Sequence, residues 1–475
     1  MSPKSEAISR AVAAVDLLKD ALPARVITTN AASEYESQRS RPWSQTCWES
    51  AAAYVQPVNT QEVAQALSII TKAGSKFAIR TTGHIPNPGF SSVGDTGVVI
   101  DLRKLQSLSL DKENGILRTG AGCTWGEVYS YLEENNLSAI GGRDVAVGVA
   151  GFLLGGGYSA FPNLHGTGVD GVRGFEVVLA DSTIVTANAE TNIELYRALK
   201  GGGSNFGIVT RFDISVYPLI ETQTTINLYN PSDYLNILDA TVKVQDAMEK
   251  DPGLNAFTNF NAGFVAVVLL SANRQAEGTR EFEPFDKLQS KINQALPTTN
   301  GTLLSIANFL KHSAEPGKRL VGSATTKVSH ELYVGVYKCY LDVISKLPSN
   351  ITLHYTIQPV STAGIQAGED RGGNIMGLEK LPQCWWVFTA EWPEDGDDAA
   401  AQQAINTMTQ NTRNIARDKG LLLDYLSMNF ANSSQDVLRS YGAENVRRMQ
   451  ETAAKYDPEG VFQKLQNGGF LLRDL

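Results

Sequence analysis

The stretch Phe77-Ala78-Ile79-Arg80-Thr81-Thr82-Gly83-His84 is a short apolar run that breaks into a turn of small residues ending in Gly-His. Such a turn leaves backbone N–H groups free to face phosphate oxygens. The imidazole of His84 can serve there as base, ligand or covalent anchor, and the stretch alone does not rank these uses. Glycines recur at 120 and 122, 141 and 142, 148 and 151, 155–157 and 201–203. Any one cluster reads as a structural turn, and the set together points to a large ligand approached closely by backbone. His84, His165, His312, His330 and His354 lie far apart with none four residues from another, and Cys47, Cys123, Cys339 and Cys384 form no CxxC pair. No metal site is therefore expected, and the thiols read as reduced.

A turn of this kind needs a strand before it and a layered fold around it. Residues 54–219 alternate short β-rich runs with helices: Tyr54-Val55, a helix over 60–73, Phe77-Ala78-Ile79, then Val98-Val99-Ile100-Asp101-Leu102. The first 50 residues read as a helix with Ile8, Ala11, Val12, Val15, Leu17 and Leu18 apolar, followed by a polar loop over 33–46. Beyond residue 222 come longer runs, 264–270 and 384–390, separated by helical stretches such as 399–414. These predict an antiparallel sheet carrying helices, a second lobe with its own core. Residues 436–462 read as a helix stopped at Tyr456-Asp457-Pro458. The triplet 155–157 is not read as a dinucleotide-binding turn, because the Pro- and Gly-interrupted stretch 158–169 offers no helix N-terminus to a pyrophosphate.

At 475 residues the chain should form two or three lobes, since single cores rarely grow past roughly 250 to 300 residues. Its net charge of −9 argues against nucleic acid or an anionic membrane as main partner. No run has the length of a signal-peptide core or a membrane span, so a cytoplasmic protein is expected.

Four segments occur in one fixed order: residues 80–84, Thr119-Gly120-Ala121-Gly122-Cys123-Thr124-Trp125-Gly126-Glu127-Val128, Gly151-Phe152-Leu153-Leu154-Gly155-Gly156-Gly157, and Gly201-Gly202-Gly203-Ser204-Asn205-Phe206-Gly207-Ile208-Val209-Thr210. With Tyr441-Gly442-Ala443-Glu444-Asn445 and residues 455–462, that order resembles the berberine bridge enzyme-like flavoproteins of the vanillyl-alcohol oxidase superfamily. Residues 371–379 resemble its fungal secondary-metabolism branch. The resemblance covers most of the chain and is weak over 1–50 and 225–350. It implies an α+β fold: a two-subdomain PCMH-type FAD-binding lobe plus a substrate lobe built on a large antiparallel sheet covered by helices. The implied boundaries are an N-terminal helical segment 1–50, an FAD-binding domain 51–221, a substrate-binding domain 222–425 and a returning C-terminal segment 426–475. The FAD pyrophosphate would lie on the turn at 80–84 and the isoalloxazine at the junction of the lobes. His84 matches the histidine that family members bond to the flavin 8α-methyl carbon. Arg80, Thr81, Thr82, Gly83, Gly89, Arg143, Asp144, Gly148, Gly151, Gly156, Asn205, Gly207, Ile208, Tyr441 and Asn445 are implied to surround the cofactor, chiefly through backbone. Asp170 matches a family aspartate and reads as holding its loop.

Two departures from the family pattern bear on chemistry. Where many relatives join a cysteine to flavin C6 in Gly-Gly-Arg-Cys, this chain has Gly141-Gly142-Arg143-Asp144. A carboxylate makes no thioether, so the FAD is expected to be covalent through His84 only, and a weaker oxidant than a doubly linked one. Where several relatives use the tyrosine of an Asn-Tyr pair as proton acceptor, this chain has Asn429-Phe430. Asp144, Tyr158, His165 and Tyr441 are the candidates to replace that base. Each has an ordinary alternative: Asp144 as a turn cap, Tyr158 as aromatic packing, His165 as a bonded loop histidine, Tyr441 as a cofactor-site residue beside Asn445. The expected function is an FAD-dependent oxidoreductase, an oxidase or dehydrogenase with oxidative cyclisation included, moving a hydride from a small natural-product intermediate to flavin N5. O₂ or another acceptor would reoxidise it. The alternative is a non-redox cyclase of Diels–Alder type with structural FAD. A flavin-free binding protein is a third reading, disfavoured by His84 and the glycine loops.

Overall fold

The computed structural model describes residues 2–272 and 278–475. Helix Thr60–Ala73 shows how locally the first lobe is specified. Asn59 caps it by accepting from the Glu62 N–H, Gly74 ends it at a φ of 65°, and Val63, Ala66, Leu67 and Ile70 form its buried stripe. The helix links Ala53–Val55 to Lys76–Arg80 in a four-stranded mixed sheet ordered Val26–Ile27, Ala53–Val55, Gly97–Asp101, Lys76–Arg80. A second sheet is antiparallel, ordered Leu108–Asp111, Ile116–Gly120, Ile208–Ser215, Val172–Val178, Ile184–Asn188.

The second lobe is an eight-stranded antiparallel sheet. Its order is Lys291–Gly301, Thr222–Tyr229, Val265–Ser271, Leu254–Phe260, Thr352–Val360, Gln383–Trp392, Lys318–Lys327, Leu422–Leu423. Side chains alternate between its faces. Leu353, Tyr355, Ile357, Trp386 and Phe388 join a core with helices Tyr234–Met248, His330–Ile344 and Asp398–Asp418. Phe257, Val268, Leu270, Val360 and Trp385 point the other way, into a core continuous with the first lobe. The junction between lobes is thus a packed surface whose inward face belongs to the large sheet.

Two local expectations are corrected. The loop expected over 33–46 contains helix Ala32–Arg39 and a 3₁₀ turn at Gln45–Cys47. No side chain caps that helix, and burial of Tyr35 and Gln38 holds it, a tertiary cause that periodicity does not reveal. The helix expected from 436 begins only at Ala443, after a 3₁₀ turn at Arg439–Tyr441 and Gly442 at a φ of 90°. The first 50 residues also contribute strand Val26–Ile27 to the mixed sheet.

The C-terminus returns to the first lobe: the Phe77 N–H donates to the Leu465 carbonyl at 3.0 Å, and the Asn467 N–H donates to the Phe77 carbonyl at 2.7 Å. Asn205 ties the tail down, donating to the carbonyls of Gly202 and Phe470 and accepting from the Leu472 N–H. Asn205→Ala would strand these buried partners, so a loss of about 2–4 kcal/mol is expected from the denaturant midpoint. An unchanged midpoint would contradict that role.

Candidate active site

The guanidinium of Arg80 is turned into the mixed sheet. It pairs with Asp101 at 2.9 Å, donates to the Gln38 carbonyl at 2.9 Å and lies 4.9 Å from the Tyr54 ring centre. Anion contacts at the turn are therefore left to backbone. Gly83 reverses the chain at a φ of 76°. Among the described residues the N–H groups of Gly83, His84 and Ile85 donate to nothing, which leaves three successive donors of the kind that can face an anion. Thr82 Oγ1 accepts from the Gly148 N–H at 3.1 Å. A Cβ on Gly148 would sit 2.8 Å from that oxygen and 3.1 Å from Thr81 Oγ1, so this close approach requires glycine.

His84 lies almost parallel to Trp43, with ring centres 5.3 Å apart and planes 17° apart, and meets the edge of His312 at 6.3 Å. Burial pushes its pKa down to about 4; Asp144 opposes this, and His312 and Arg319 add to it. The imidazole is consequently neutral near pH 7, the nucleophilic form.

Asp144 caps its own turn and also crosses the junction. Its Oδ1 accepts from the Ala146 N–H at 2.7 Å, while Oδ2 accepts from the His312 N–H at 2.7 Å and from His312 Nδ1 at 2.8 Å. Burial raises the carboxyl pKa, but the bonds from His312 and Ala146 outweigh it and hold Asp144 below its ordinary value. With the carboxylate ionised, His312 Nδ1 is the donor in that bond. His354, on the inward face of the large sheet, has the opposite arrangement. Its Nδ1 lies 3.1 Å from the Asn259 amide nitrogen, whose carbonyl accepts from Asn261 at 2.6 Å, so Nε2 carries the proton. Burial depresses the His354 pKa, with Glu391 opposing and His312 adding.

Arg143 spans the same junction. It donates to Gln358 and lies 4.6 Å from the Tyr158 ring centre and 4.9 Å from that of Phe257. Burial pushes its pKa down to about 10. Among the described residues no carboxylate pairs with it, and a desolvated cation without a counter-ion favours an anionic or electron-rich ligand.

The remaining candidates separate. Tyr158 donates to the Pro359 carbonyl at 2.7 Å beneath Arg143, and burial raises its pKa. His165 stacks on Tyr217 at 3.8 Å beside Arg371, and burial lowers its pKa to about 4. Tyr441 donates to the Gly201 carbonyl at 3.1 Å, and its own carbonyl accepts from Asn445. Among the described residues none of these three meets His84 by a hydrogen bond or ring contact; the hydroxyls of both tyrosines are engaged as donors to backbone. Gly156 lies against Met376, Gly151 accepts from Asn429 through its carbonyl, Ile208 opens a strand against Val178, and Gly207 before it packs on Val177 and Val178. Gly89 and Asn205 meet the C-terminal tail. Trp43, His312, Arg319, His354 and Glu391 carry no motif. Strand parity could have placed His354 on the face of Gln358, but nothing in the sequence brings Trp43 or His312 to His84.

The residues present fit an FAD: a run of free N–H groups for phosphate, an unpaired buried cation, and an imidazole with both nitrogens unbonded. Among the described residues no cluster of His, Cys, Asp and Glu can hold a metal ion, and no helix is long and apolar enough to cross a membrane. Residues 51–188 match the family model described as FAD binding domain. The chain is 36% identical over 440 residues to an FAD-dependent monooxygenase of Arthrobotrys oligospora, covering 92% of this chain and 86% of that one. An FAD-dependent monooxygenase of Penicillium terrestre is 33% identical, covering 93% of this chain and 86% of the other. In fold, the chain is similar to glucooligosaccharide oxidase from Acremonium strictum, described with a 6-S-cysteinyl, 8α-N1-histidyl FAD (TM-score 0.81, 19% identity, 96% and 99% of the two chains). It is likewise similar to the Physcomitrella patens BBE-like 1 protein (TM-score 0.77, 18% identity, 94% and 97%).

Gly148→Ala must push the Thr81–Thr82 turn away from its loop. FAD affinity measured by titration of the apoprotein is expected to fall about tenfold, from a packing cost of roughly 1–3 kcal/mol. Unchanged affinity would contradict the fit.

Proposed function

The chain belongs to the berberine bridge enzyme-like family of FAD-linked oxidoreductases, and from that premise we propose that it moves a hydride from a small natural-product intermediate to flavin N5 of an FAD attached through His84 alone. Bound at the junction, FAD supplies a two-electron acceptor. The observation that carries the tether is a neutral, unbonded imidazole ending a turn of free N–H groups. Asp144 leaves the position of a second tether without a thiol. Burial raises the pKa of Cys123 to about 11 and of Cys47 to about 12, so neither supports a thiolate nearby. The boundaries 51–221 and 222–425, flanked by 1–50 and 426–475, belong to the same reading.

In this reading Asp144 works through His312. Its carboxylate fixes Nδ1–H, which leaves Nε2 of an exposed ring as proton acceptor. His354 offers an N–H from the facing sheet. The two can orient a substrate hydroxyl or amine from opposite sides, a task for which Phe430 has no group. Tyr158, His165 and Tyr441 are supporting residues here, since both tyrosine hydroxyls and His165 Nδ1 already have partners. A small molecule is the substrate, and O₂ or another acceptor takes the electrons.

The test is to mix the yellow enzyme with intermediates of its biosynthetic pathway in the absence of oxygen. Bleaching with a product two hydrogens lighter supports hydride removal. Product formed while the colour persists would replace this reading with the non-redox cyclase, and product carrying an atom of isotope-labelled O₂ would replace it with oxygenation. His312→Ala is expected to slow bleaching about 100-fold with FAD content retained. His84→Ala is expected to leave FAD that acid releases from the protein; flavin still bound after acid would contradict the tether.

A further inference from the structure

The residue most in need of a fixed orientation has no hydrogen bond to fix it. A histidine that acts through one nitrogen is ordinarily oriented by a bond at the other. Among the described residues neither ring nitrogen of His84 has such a bond. Its ring is held by surfaces, chiefly by Trp43 at 5.3 Å and 17°.

Trp43 is itself firmly held. Its backbone N–H donates to the Gly83 carbonyl at 3.1 Å, and its indole N–H donates to the Ser313 carbonyl at 3.4 Å. The Arg319 guanidinium carbon lies 4.5 Å from the indole centre. Arg319 also donates to Glu391 at 2.9 Å and to the carbonyls of Glu315, Gly317 and Trp43. The flanking residues tie the same strap to both lobes. Ser44 Oγ accepts from the Arg319 N–H at 2.8 Å, the Gln45 N–H donates to the Gly317 carbonyl at 3.0 Å, and the Thr46 hydroxyl donates to the Pro86 carbonyl at 3.3 Å. Together these bonds set one indole plane against one imidazole plane.

We propose that Trp43, locked by Arg319, is the positioning residue that fixes the plane of His84 for bond formation to the flavin 8α carbon. The proposal rests on the tether proposed above. In that reaction a C–H bond of the 8α-methyl group and the imidazole N–H bond break, and a C–N bond forms. The flavin gains two electrons with the two hydrogens, and O₂ takes both, leaving as hydrogen peroxide. A displaced ring costs rate because attack needs the nitrogen lone pair aligned on the carbon. A ring opened to water also protonates more readily: Asp144, His312 and Arg319 face His84, and the cover over it is the main cause of its low pKa.

The full-length protein is produced under riboflavin limitation, FAD is added in air, and covalent attachment is read as fluorescence of the acid-denatured band. Wild type is expected to react at one rate between about pH 5.5 and 7.5. Trp43→Ala is expected to slow attachment about tenfold to hundredfold at the higher pH and about tenfold more at the lower, as the ring titrates near its ordinary value. Trp43→Phe should restore most of the rate, with non-covalent FAD binding and melting temperature unchanged across the set. If Trp43→Ala melts early, Trp43→Leu, which keeps apolar cover without a ring, takes its place and should also be slow. Attachment at the wild-type rate and pH dependence in either variant overturns the positioning role while leaving the tether intact. No covalent flavin in wild type overturns the tether, and the positioning role with it.

Discussion

Arg319 and Glu391 stand directly opposite one another on neighbouring strands of the large sheet, 2.9 Å apart. From that pair the guanidinium reaches out of the sheet to the Trp43 indole and to carbonyls at 315, 317 and 43. The contact joins three parts of the chain that are distant in sequence: the strap from the N-terminal segment, the second lobe's sheet, and, through Trp43, the turn ending in His84. The two lobes also share an apolar core, but this is the contact that reaches the indole lying over the imidazole. Burial lowers the His84 pKa to about 4 and so keeps the ring uncharged near pH 7, and an uncharged ring is what nucleophilic attack requires.

The ionisable groups at the junction divide their protonation states. Asp144 is ionised, His312 donates and His354 accepts at Nδ1, and among the described residues no carboxylate pairs with the buried cation of Arg143. Such an arrangement suits a ligand that brings negative charge at one place and exchanges a proton at another. Asp144 also ties the junction together: the carboxylate takes three hydrogen bonds, two of them from the opposite lobe. A thiol could not accept them with comparable strength.

What was legible in the sequence was local. Helix Thr60–Ala73 had its cap, stripe and terminal glycine in order, and the strand before His84 was bounded by its own turn. The sheet of the second lobe was visible as long apolar runs because strands buried on both faces leave such runs. Helix Ala32–Arg39 was not visible, since burial of Tyr35 rather than a capped periodic stripe makes it. The glycine turn and Asp144 were found by type and spacing, but their partners Trp43, His312 and His354 come from segments with no spacing relation to them. Three of the five histidines meet at one junction, and only tertiary folding makes that so.

The central claim is a single covalent bond from His84 to FAD, and peptide mapping by mass spectrometry tests it most directly. Trypsin should release one flavin-bearing peptide, the one running from Thr81 to Arg103, with the modification on His84. Peptides containing Asp144 or any cysteine should be unmodified. Flavin on another residue, on two residues, or on none would contradict the account.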